Sequence, residues 1–198
     1  MLKIYYILFI NLLFVGCNLL STREPENPDS GRTSFQPPTS ANIVISNLSN
    51  SIKEKNVDNY ISCLSDSSIS FDTPFAFIPS AEANARFAAV FQSWSLASER
   101  AAFINITSNI QKNENPLLEL TNSRFDVMLP DSAIYVSDYT LKIKFNPDTS
   151  LSKYSGTLQF VILRRSNGLW HIGKWYDQSI QNDTLGNTWS ILKAVYSH

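Results

Sequence analysis

The sequence predicts an α+β domain: helices come first, packed on one face of a curved antiparallel sheet, and a short helix closes the chain. Three observations predict this. Apolar residues recur at helical spacing in the first half of the globular part and at a period of two after Pro116. Asn167-Gly168 stands between two alternating runs and is the strongest hairpin signal in the chain. Helical and strand segments are segregated along the chain, which argues for α+β with helices packed on one face of a curved sheet.

Val44, Ile45, Leu48 and Ile52 share one face of a first helix, which breaks at Lys53-Glu54-Lys55-Asn56. Val57, Tyr60, Ile61 and Leu64 follow at i, i+3, i+4 and i+7 and mark a second. After the polar loop from Ser65 to Ser68, Ile69-Ser70-Phe71 is a short strand candidate, and Pro74 and Pro79 bracket an apolar connector. Ser80 is the expected N-cap of a third helix, whose Phe87, Val90, Phe91 and Trp94 form an aromatic stripe. Ser95 caps a further stretch with Leu96, Glu99, Arg100 and Phe103, where Glu99 and Arg100 read as an exposed pair or a local bridge.

Phe125, Val127 and Leu129 then alternate with polar residues up to the turn at Pro130-Asp131. Tyr135, Tyr139, Leu141, Ile143 and Phe145 share one face of the next strand, with Lys142 and Lys144 on the other. Asn146-Pro147-Asp148 is a turn signal. Tyr154, Leu158, Phe160 and Ile162 alternate up to the Asn167-Gly168 hairpin, and the last strand runs from Leu169 to Ile180. Asn187 or Thr188 is placed to cap a terminal helix carrying Trp189, Leu192 and Val195.

Ahead of this domain, assigned to residues 41–198, lie two segments of different character. Residues 1–16 form a secretory leader: Lys3 is its charge, and Ile4 to Val15 is an apolar run interrupted by Asn11, too short for the roughly 20 residues of a spanning helix. Phe14-Val15-Gly16-Cys17 resembles the bacterial lipobox, with Phe14 in place of the usual Leu. The resemblance implies cleavage after Gly16, a diacylglycerol thioether on Cys17 and acylation of the new amine, palmitate being the expected fatty acid. Several acyl chains give stable membrane attachment. Asn18 rather than Asp follows the cysteine, so the expected location is the cell envelope, at the outer membrane and facing the periplasm or the cell surface. From Cys17 to Ser40 the chain is rich in Pro and polar residues and reads as a disordered tether.

The full chain carries 16 basic and 17 acidic residues; loss of Lys3 with the leader leaves 15 against 17, a net charge of −2. With no Lys/Arg cluster, this balance argues against a nucleic-acid partner. Once Cys17 is acylated, Cys63 is the remaining thiol, so no intramolecular disulfide forms, and its setting among Tyr60, Ile61 and Leu64 reads as buried and inert. No zinc-ligand spacing occurs, so no metal or cofactor is expected.

The helix pair SNLSNSIKEKNVDNYISCLSDSSISF and the closing hairpin with Gly168-Leu169-Trp170-His171-Ile172 resemble the NTF2-like superfamily, the cone-shaped α+β fold that includes SnoaL-like and ketosteroid-isomerase-like domains. A lipocalin-like barrel is the competing fold for an exported β-rich domain, but the helical first third leaves it little room. The resemblance implies a pocket between sheet and helices, and dimerisation through the sheet is a property of such domains. Enzymes of this fold place an Asp or His base in the pocket. No catalytic motif of a characterised member matches here, so catalytic residues stay unassigned.

Candidate pocket residues are Phe91, Trp94, Tyr139, Trp175 and Asp177. Each has a second reading. The aromatics serve equally as core, and Asp177 as a loop cap or a partner of Lys174. Asp138 reads as solvent-facing, and His171 as lying at a wet hairpin end. Two functions remain open: a lipid-anchored, non-catalytic domain that binds a small apolar ligand or an envelope protein, and a SnoaL-like isomerase, dehydratase or hydrolase acting on an apolar substrate in the cone pocket, for which Asp177 is the first residue to mutate.

Overall fold

A computed structural model describes residues 34–68, 73–147, 150–180 and 187–197. The leader, Cys17, most of the Pro-rich segment and the strand candidate Ile69-Ser70-Phe71 lie outside the described residues.

Two helices open the domain. Helix α1 (Ala41–Lys53) starts at Ser40, whose hydroxyl accepts from the Ile43 N–H at 3.4 Å, and buries the predicted stripe of Val44, Ile45, Leu48 and Ile52. Lys55, with φ 55°, turns the chain into α2 (Val57–Ser62), which Asn56 caps by accepting from Asn59 N–H at 3.0 Å. The segment before α1 packs on the domain. Phe35 joins the core, Asn47 exchanges two hydrogen bonds with the Gln36 backbone, and Trp170 N–H donates to Pro38 O at 2.7 Å.

The connector between the prolines is a strand, β1 (Ala76–Ile78). It pairs parallel with the last strand, so the sheet is mixed where the sequence predicts a purely antiparallel one. Three residues between two prolines show no measurable alternation. The aromatic stripe is also split. Helix α3 (Ala81–Arg86) ends at Phe87 and α4 (Ala88–Phe91) restarts there, leaving Trp94 in the link to α5 (Leu96–Ser108). Ser80 and Ser95 cap α3 and α5 as expected, the latter in a capping box with Ser98.

Four long strands follow: β2 (Leu117–Met128), β3 (Ser132–Lys144), β4 (Leu151–Arg164) and β5 (Trp170–Gln178). The sheet order is β1-β5-β4-β3-β2, curved and open. The period-two pattern places Tyr135, Tyr139, Leu141 and Ile143 of β3 and Leu158, Phe160 and Ile162 of β4 on the inner face, all buried. In β5 the register shifts by one residue around Gly173, between Ile162↔Ile172 and Phe160↔Trp175. This bulge brings Ile172, Trp175 and Asp177 to one face, although they differ in parity along the strand. Gly168, at φ 85°, makes the β4–β5 turn. Helix α6 (Trp189–Val195) closes the domain.

Candidate functional site

The chain's own last helix packs on the inner face of the sheet, alongside α1. Helix α6 buries Trp189, Ile191, Leu192, Lys193 and Ala194, with Val195 turned to solvent. The Trp189 indole meets Trp175 edge-on, centroids 4.6 Å apart at 85°, and tilts against Tyr139 at 5.5 Å. Trp175 in turn packs edge-on against Phe160 and Phe77. Such ring pairs add about 0.5–1.5 kcal/mol each beyond their area.

Two polar groups hold the helix. The first is Asp177, at the end of β5 and buried. Its Oδ1 accepts from Tyr139 OH at 2.7 Å; its Oδ2 accepts from Ser190 N–H at 2.7 Å and Ser190 OH at 2.5 Å. Tyr139 Oη also accepts from Trp189 N–H at 2.7 Å, and Ser190 Oγ accepts from Ser80 N–H at 2.9 Å. Thr188 holds the N-cap position without capping the helix; its hydroxyl meets Ser80 Oγ at 3.1 Å. Two of the N–H groups in the first turn of α6, those of Trp189 and Ser190, are therefore satisfied by Tyr139 and Asp177, across the sheet. Burial raises the Asp177 carboxyl above its ordinary value, opposed by the Ser190 and Tyr139 hydrogen bonds and by Lys193. Gly156, opposite Tyr139 in the ladder, makes room for that ring: a Cβ there would lie 2.8 Å from Tyr139 Oη and against the Gln178 carbonyl.

The second group is Lys193, also buried. Its Nζ stands 2.7 Å from Glu99 Oε1, an ion pair whose angles fall outside hydrogen-bond geometry, and lies 3.6 Å and 3.5 Å from the ring centroids of Phe77 and Trp175. Glu99 is fixed by Tyr60 OH, donating to Oε1 at 2.5 Å, and by Trp94 Nε1–H, donating to Oε2 at 2.8 Å. Tyr60 itself stacks on Phe103 at 3.9 Å. Burial pushes Lys193 down to about 8, with Glu99 and then Asp177 pulling the other way. It lifts the Tyr60 phenol well above its ordinary value, helped by Glu99.

The five candidate residues therefore gather around α6. Tyr139 and Asp177 form the first node, Trp175 walls the second, Trp94 anchors Glu99, and Phe91 packs against Phe77 and Trp94 at 5.8 Å and 5.3 Å. Glu99 is corrected from an exposed helical residue to a buried one, because it shares the inward face of α5 with Phe103 and Ile106; Arg100 pairs instead with Asp58 at 2.9 Å. His171 is corrected from wet to buried, because the backbone around Pro38 and Cys63–Ser65 covers this end of β5. Asp138 stays on the outer face, where hydrogen bonds from Asn122 and Thr157 lower its carboxyl. Cys63 is buried, its thiol pushed up to about 12. Open clefts remain among the described residues. One of about 510 Å³ is lined by Ile78, Pro79, Asn84, Tyr176 and Asp177 among others, and one of about 520 Å³ by Val90, Trp94, Ala97 and Ser197 among others. Among the described residues no cluster of His, Cys, Asp or Glu could hold a metal ion, and no helix is long and apolar enough to cross a membrane.

No family model and no curated protein matches this sequence. Solved structures do. A candidate dehydratase of the NTF2-like family from Streptomyces avermitilis aligns with a TM-score of 0.54 at 12% identity, over 74% of this chain and 99% of its own. An NTF2-like superfamily protein from Salmonella enterica serovar Typhimurium aligns at 0.53 with 11% identity, over 74% and 92%. A candidate scytalone dehydratase from Novosphingobium aromaticivorans aligns at 0.53 with 6% identity, over 70% and 80%. At these identities the likeness is one of fold, and the fold of this chain is the NTF2-like α+β cone.

Proposed function

We propose that this protein is a lipid-tethered, non-catalytic binding domain of the bacterial cell envelope. One observation supports the non-catalytic reading above others: the two buried carboxylates among the described residues, Asp177 and Glu99, are engaged by the chain's own groups in holding α6 in place. A general base needs a lone pair within reach of a substrate, and here the Asp177 oxygens already accept three hydrogen bonds. The tether reading rests on the Cys17 leader and the Pro-rich stretch behind it.

A second reading, an isomerase or dehydratase on an apolar substrate, draws on the names of the fold neighbours and on the position of Asp177 in the wall of the 510 Å³ cleft. Asp177→Ala separates the two. As a structural latch, its loss strands buried donors on Tyr139 and Ser190 and lowers the unfolding free energy by about 2–4 kcal/mol, read by urea denaturation. Unchanged or increased stability is the result expected of a catalytic carboxylate and would sink the latch. For the tether, cells fed an alkyne fatty acid should label the wild type and not Cys17→Ser; label on both rules out Cys17 as the acceptor.

A further inference from the structure

The walls around the Lys193 ammonium come mainly from elements other than α6. Phe77 belongs to β1, Trp175 to β5, Glu99 to α5, Tyr60 to α2, and Trp94 to the link before α5. Two ring faces, with centroids at 3.6 Å and 3.5 Å, and one carboxylate oxygen at 2.7 Å surround the nitrogen; Trp189 of α6 adds a ring at 5.9 Å. Glu99 is 1% exposed and is oriented by Tyr60 and Trp94, neither of them on α6. Aromatic faces plus a buried anion recognise an ammonium group by cation–π attraction and charge, and do so best when desolvated. A buried ion pair is seldom the most stable way to fill a core, since apolar residues of similar volume do as well or better.

We propose that the interior of the cone is a binding site for a linear primary alkylammonium group, and that Lys193 is the ligand the protein carries in cis. The aromatic and carboxylate walls are the receptor; the last helix delivers its own cation to them. An external alkylammonium of similar length is the class of molecule that fits the space left when the Lys193 side chain is truncated. Trp94 also lines the open 520 Å³ cleft, so this indole has one side on the surface and its Nε1 on Glu99. This inference rests on the reading of the domain as a binding module and specifies its ligand chemistry.

The test uses Lys193→Ala, which removes the atoms of a propylammonium ion. Propylammonium should raise the melting temperature of this variant saturably and change its tryptophan fluorescence, while 1-propanol at equal concentration does neither. In the wild type the tethered lysine competes, so the same response needs at least about tenfold more ligand. Adding Glu99→Gln to the variant should abolish the preference for the cation. Where Lys193→Ala does not fold unaided, the titration is read as recovery of far-ultraviolet circular dichroism. Equal rescue by propanol, no response to propylammonium, or identical responses of variant and wild type would each overturn the proposal. Any of these leaves the Asp177 latch and the Cys17 tether standing, because neither depends on the cage.

Discussion

Lys193 titrates near pH 8 in the folded chain against an ordinary value of 10.5, because burial opposes its charge. Between those values the unfolded chain holds the proton and the folded chain has released it, so stability rises with pH. Cys63 has the opposite sign: its thiol ionises at 9.0 when unfolded and about 12 when buried, so it withdraws stability above pH 9. Between pH 8 and 9 Lys193 outweighs Cys63, and the unfolding free energy should rise by roughly 0.6 kcal/mol. Urea denaturation at constant ionic strength measures it, and the rise should vanish in Glu99→Gln/Lys193→Met. A flat wild-type profile, or the same rise in the double variant, contradicts the buried cation. These two residues were also the hardest to read from sequence. Glu99 lies on the apolar face of α5 with Phe103 and Ile106, and Lys193 adjoins Leu192 in a largely apolar helix. Each alone reads as a solvated charge, and the pairing of distant segments that makes both buried is invisible to local periodicity. Cys63 was legible because its neighbours Tyr60, Ile61 and Leu64 are apolar at helical spacing.

Among the elements, α1, α2 and the long strands follow from pattern: Val44, Leu48 and Ile52 mark the first helix, and the alternation from Tyr135 to Ile143 marks the inner face of β3. What pattern misses is where tertiary contact overrides it. Phe87, Val90, Phe91 and Trp94 have helical spacing, yet the helix breaks at Phe87, which carries φ −128°. The bulge at Gly173 reverses the inward parity of β5, and without it Trp175 and Asp177 would face away from Ile172. Helix α6 is too short to be stable alone, so its place depends on its anchors. Gly156→Ala tests one anchor indirectly. The new Cβ would press on Tyr139 Oη and on the Gln178 carbonyl, displacing the ring that accepts from Trp189 and donates to Asp177. A loss of about 1–3 kcal/mol is expected in urea denaturation, and Tyr139→Phe should relieve only the hydroxyl's share of it, because the ring carbon and the Gln178 carbonyl stay in the way. Unchanged stability of Gly156→Ala would contradict the close packing of Tyr139 on this strand.

At the scale of the whole molecule, the C-terminal helix closes over the inner face of the sheet, joined to it at one end through Asp177 and to the other helices through Lys193 and Glu99. The fold class was legible in the order of periodicities; the place of α6 was not, because it depends on which side chains meet across the sheet. Amide hydrogen exchange on the folded domain tests this closure directly. The account predicts that the Trp189 and Ser190 amides, donated to Tyr139 and Asp177 at 2.7 Å each, exchange only through global unfolding, at the same free energy as the amides of β3 and β4. Exchange of α6 through local opening, while β3 and β4 stay protected, would contradict it.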